Sequence, residues 1–151
     1  MIATCVATMD DRLHIAPIIP ICDQKALDAK NYSNPLCYNS NPPTSGPHMG
    51  NLANWGVHYQ PIPDELQVHN LEDKGVVIQY SCSPECPDLA GKLEAIVKRY
   101  KDFVVLAPRP GMDKRIALTA WGKIDTFDEF DEARIVRFIK RFRGIDHHGE
   151  G

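Results

Sequence analysis

The sequence predicts an α+β fold, a small mixed sheet in the order strand, helix, strand, strand, helix, with a long ordered histidine-rich loop region packed on it. Three observations predict this. The run Gly75–Tyr80 (GVVIQY) is rich in β-branched residues and bounded by turn formers, so it reads as a strand buried on both faces. From Leu89 to Tyr100, the apolar residues Leu89, Leu93, Ile96, Val97 and Tyr100 recur at helical spacing, with Lys92, Lys98 and Arg99 on the other side. The stretch Asp128–Arg143 opens with acids and closes with bases, which suits the helix dipole at both ends, and Ile135, Phe138, Ile139 and Phe142 form its apolar stripe.

Taken in order, residues 1–37 are an N-terminal extension, residues 38–144 one domain, and residues 145–151 (IDHHGEG) a frayed tail. The extension carries an apolar run, His14 to Ile21, interrupted by Pro17 and Pro20, which favours an extended, edge-like segment. With no place in the sheet, that run is suited to adding a strand to a neighbouring chain, either a protein partner or a second copy. Cys22 and Cys37 bracket a polar stretch; a disulfide between them and two separate buried thiols are both open, and Cys5 has no evident role. Between Tyr38 and Gly75 the prolines and glycines exclude a long helix or central strand across most of the stretch. Its interleaved aromatics and histidines argue for order and for a binding site. Ser81 or Ser83 is placed to cap the helix that follows the first strand, and Phe103–Ala107 is a second strand. After the turn Pro108–Asp113, Arg115–Gly122 is a third, close enough to the second to pair with it as a hairpin.

Composition narrows the function classes. The chain has 151 residues, 43% hydrophobic and 25% charged, enough for one domain with a sizeable core. A formal net charge of −3 gives no basic excess for a phosphate backbone, which argues against a nucleic-acid partner. No run is long enough to be a transmembrane segment, and the opening MIATCVATMDD lacks the flank and apolar core of a secretory signal, leaving a cytosolic chain or a processed one. There is no phosphate-binding glycine loop, GxSxG elbow or HExxH, so enzyme chemistry finds little support.

Five blocks in one order, PPTSGPHMG, WGVHY, VHNLEDKGVVIQY, VVLAPRPGM and IALTAWGK, carry a resemblance. Over roughly Tyr38 to Arg143 the chain resembles the bacterial family known as domain of unknown function 3105. The resemblance implies a shared fold and an extracytoplasmic setting, periplasmic or cell-surface, and assigns no activity. Where members of that family read VHNLEHGG, this chain has Asp73 and Lys74.

The residues themselves suggest a metal site. His69 and Asp73 are four apart, so one helical turn would present both on the same face, either gripping a cation or with the carboxylate orienting the imidazole. His48 and Met49 follow the turn SGP, His58 follows Trp55 and Gly56, and Met112 reaches the same end of the sheet as Gly75 if the strands pair as expected. Imidazole with thioether is a soft donor set, so copper is the expected ion, with zinc or mercury as alternatives. The bland alternative is a set of hydrogen-bonded loop histidines with core methionines. Cys82 and Cys86 form a CxxxC at a helix start, where the dipole stabilises thiolate. A local disulfide, free thiols and a redox pair in which Cys82 attacks and Cys86 resolves are all open. Trp55 and Trp121 read as packing aromatics, with shielding of a metal site as a second role.

Overall fold

The structure is a computed structural model that describes residues 38, 40–46, 48–82 and 85–147. The apolar run His14–Ile21, the cysteines Cys5, Cys22 and Cys37, the capping candidate Ser83 and residues 148–151 lie outside the described residues. The elements are β1 (Gly56–Val57), α1 (Asp64–Glu72), β2 (Val76–Tyr80), α2 (Pro87–Val97), β3 (Val104–Pro108), β4 (Ile116–Ala120), β5 (Lys123–Phe127) and α3 (Glu132–Phe142). Among the described residues no helix is long and apolar enough to cross a membrane.

The five strands form one mixed sheet in the order β1-β3-β2-β4-β5. The unit β2-α2-β3 is a parallel crossover, with Val76 opposite Val104 and Tyr80 opposite Pro108. β4 runs antiparallel to β2 on the other side, pairing Ile78 with Leu118. The expected hairpin between β3 and β4 is therefore not formed; both strands flank β2. The reason is burial: four of the five residues of β2 are buried, which requires a central position with a neighbour on each side. The hairpin in this region joins β4 to β5, pairing Ala120 with Lys123 across Trp121 and Gly122, and Gly122 supplies a positive φ of 70°.

Strand alternation sorts the core into two layers. Val76, Ile78, Val104, Leu106, Ile116 and Leu118 face α2 and α3, packing with Leu93, Ile96, Ile135 and Ile139. Val77, Val105 and Ala107 face the opposite way and pack with Val68 and Leu71 of α1 and with Tyr38, Ala53 and Ile62 from the connecting segments. α3 begins at Asp131, whose carboxylate accepts from the Arg134 amide at 3.1 Å, and Arg134 grips Asp125 of β5 with both arms of its guanidinium. α2 begins differently from the expected serine cap. Cys86 is its N-cap residue, with no side-chain cap bond, and Pro87 follows at the first helical position.

α1 is a helix inside the stretch read as loop. It lies against β2 through polar contacts: Gln67 and Gln79, both fully buried, exchange two amide hydrogen bonds of 3.1 and 2.9 Å. Arg109 at the end of β3 grips Asp64 bidentately, and its Nε donates to Asn41 at 2.8 Å, tying the start of the helix and the preceding segment to the sheet.

Candidate metal centre

The last turn of α1 and the residue that caps it carry the site. His69, Glu72 and Asp73 stand at i, i+3 and i+4, so helical pitch brings them to one side, and the Asp73 amide donates to the His69 carbonyl at 3.0 Å. One ligand atom from each of the three lies within 4.8 Å of the others. A segment held along the helix faces them. Asn70 clamps Ala53 by both of that residue's backbone groups at 2.9 Å, and the Met49 amide donates to the Glu65 carbonyl at 3.0 Å. This places the carbonyls of Met49 and Asn51 2.7 and 3.1 Å from Nδ1 of His69. His48, completely buried, is brought in from the same segment, its ring centroid 5.1 Å from that of His69.

The hydrogen bonds fix which nitrogen carries the proton. A carbonyl oxygen only accepts, so Nδ1 of His69 and Nδ1 of His48, the latter 2.9 Å from the Gly46 carbonyl, are both N–H donors. In the neutral rings the lone pairs then sit on Nε2. Those nitrogens point at carboxylates: His69 Nε2 is 3.2 Å from Asp73 Oδ2, and His48 Nε2 is 3.4 Å from Glu72 Oε1. A lone pair against an anionic oxygen is repulsive, and the contact turns attractive when a positive charge, a proton or a cation, lies between them. An imidazole bonded to a carbonyl through one nitrogen and presenting the other beside carboxylates is an arrangement that metal-ligating histidines use.

The site has a roof and a side opening. Trp121, buried at the β4–β5 turn, meets His48 edge-on at 6.2 Å, and His147 stacks on it at 6.4 Å. Residues up to His147, expected as part of a frayed tail, are bound here: the His147 amide donates to the Glu72 carbonyl at 3.0 Å, and Asp146 bridges to Asp73. Asp73 and Asp146 also line an open cleft of about 370 Å³, with Leu52, Trp55, Lys74 and Phe103, which gives an ion a way in.

His48, His69 and Asp73 are therefore together, and the other predicted ligands are elsewhere. His58 bonds the Asn54 carbonyl at 2.7 Å through Nε2 beside β1. The Met49 side chain packs on the core while its carbonyl serves His69. Met112 follows the C-terminal end of β3; because β2 and β3 are parallel, that end is opposite Gly75, so the expected approach does not occur. Glu72 was not among the expected ligands, although its spacing of three from His69 was the available signal. Cys82 and Cys86 are joined in a disulfide with Cα atoms 5.8 Å apart, at the other end of β2 from this site.

The profile of a family described as protein of unknown function (DUF3105) matches residues 30–150. No curated protein and no solved structure matches the chain.

Proposed function

Because the chain belongs to the DUF3105 family, whose description assigns no activity, we propose its function from the site: it binds a divalent transition-metal ion through Nε2 of His48 and His69 and the carboxylates of Glu72 and Asp73. The observation that carries this reading is the pair of imidazoles whose Nδ1 atoms are committed to backbone carbonyls and whose Nε2 atoms face carboxylates. Imidazole nitrogen with carboxylate oxygen suits a borderline ion. Copper(II) heads the affinity order for such donors and zinc(II) stands just below it. Mercury, which seeks sulfur, gains little from this set. The Cys82–Cys86 disulfide supports an oxidising, extracytoplasmic setting for this role.

Calorimetric titration of the full chain with copper(II) and with zinc(II) tests the reading. Expected is one ion per chain at a Kd below about 1 μM, weakened about a hundredfold in His69→Ala. Binding no tighter than about 1 μM for both ions overturns it and leaves the histidine–carboxylate contacts as structural pairs.

A further inference from the structure

At the end of β2 remote from the metal centre, a groove of about 320 Å³ has the Cys82–Cys86 disulfide in its lining. Tyr59, Tyr80, Pro108 and Pro110 line it with rigid rings. Both cysteines are half-buried, backed by the α2 side of the core and open towards the groove. Tyr59 is 71% exposed yet fixed, because its hydroxyl donates to Glu94, a bond that pushes the phenol above its ordinary range and keeps the ring neutral. An aromatic held in solvent by an ion is a contact surface awaiting a partner. The bridge spans a sequence separation of only 4, so it constrains little of the unfolded chain and is weakly motivated as a staple. Glu85, exposed, lines the same groove and supplies its negative charge, whereas Glu94 at the rim is shared between the Tyr59 hydroxyl and Lys98.

We propose that Cys82–Cys86 is a thiol–disulfide exchange site whose groove seats an extended peptide carrying a cysteine thiol beside basic residues. A substrate thiolate attacks Sγ of Cys82; the S–S bond breaks and its electron pair leaves with Sγ of Cys86. The leaving role falls to Cys86 because it is the N-cap of α2, where the first-turn amides and the dipole stabilise a departing thiolate. This inverts the expected order, in which Cys82 is the attacking thiolate and Cys86 resolves. A second substrate thiolate then attacks the substrate sulfur of the mixed disulfide and releases Cys82. The two protons lost by the substrate thiols end on the two cysteines, so the protein disulfide becomes a dithiol and the substrate thiols become a disulfide.

The test uses the oxidised full chain in a chelating buffer, so its outcome does not depend on the metal reading. A cysteine peptide flanked by lysines, the same peptide flanked by glutamates, and 2-mercaptoethanol are each added, and alkylation with peptide mapping follows the bridge over time. Expected is reduction within minutes while circular dichroism stays native, with a mixed disulfide mapping to Cys82. The lysine peptide should outpace the glutamate peptide about tenfold, Glu85→Gln should erase most of that preference, and Tyr59→Ala should slow both peptides alike. A bridge that survives for hours in the folded protein, or one reduced only on unfolding, overturns the proposal. So does equal reactivity of the two peptides, or a mixed disulfide on Cys86.

Discussion

Gln67 and Gln79 meet as two flat amides in a layer that most folds fill with hydrocarbon, and each gives the other one hydrogen bond and takes one in return. The pair therefore has little net value while intact and a large cost when halved. Gln67→Leu should destabilise the protein by about 1–3 kcal/mol, because the Gln79 amide stays buried without a partner. Gln67→Leu with Gln79→Leu should recover most of that loss, and a urea-denaturation cycle over the four proteins reads the difference. A double variant no better than the single would mean that the amides do more than satisfy each other. At this scale the sequence was legible where a side chain's chemistry is strong on its own. His69 and Asp73 stand out by spacing, whereas Glu72 reads as an ordinary helix-surface acid, and only the fold turns it towards His48.

α1 escaped the sequence because its buried face is not apolar. Of its seven buried residues only Val68 and Leu71 are hydrophobic; Asp64, Gln67, His69, Asn70 and Glu72 carry the rest of the contact, so no apolar periodicity marks the helix. β5 was hidden for the opposite reason, since four of its five residues are not buried and Lys123, Asp125 and Thr126 give a polar run. β2, α2, β3, β4 and α3 were readable because each pairs the right period with the right residues, but the neighbour of β4 was misjudged because nearness in sequence outweighed the burial demand of β2. The turn between α1 and β2 depends on Gly75, where a Cβ would lie 2.3 Å from the Asn70 carbonyl oxygen and 2.8 Å from the Trp55 ring. Backbone cannot yield as a flexible side chain does, so Gly75→Ala should cost about 3 kcal/mol in chemical denaturation. Asn70 also holds the segment whose carbonyls orient His69, so the same variant should bind copper(II) more weakly; unchanged affinity would show that the clamp is dispensable.

On the scale of the molecule, β2 separates two chemistries: Asp73 precedes it and Cys82 follows it, roughly 15–20 Å away along a strand. Groups that far apart with no shared partners act additively. Reducing the Cys82–Cys86 bridge should therefore leave the copper(II) affinity within about twofold, measured by titration before and after reduction. A change of about tenfold or more would mean that the sheet couples its two ends. The two faces of that sheet also differ in kind, and the difference reaches into how the sequence can drift. Behind α2 and α3 the contacts are aliphatic and non-directional, so isoleucine, leucine and valine can exchange as long as total volume is kept. Behind α1 the reciprocal amides, the Asn70 clamp and the Arg109–Asp64 fork accept no single-step neighbour without stranding a buried polar group. One interior can wander by small substitutions, and the other must change in matched pairs or stay as it is.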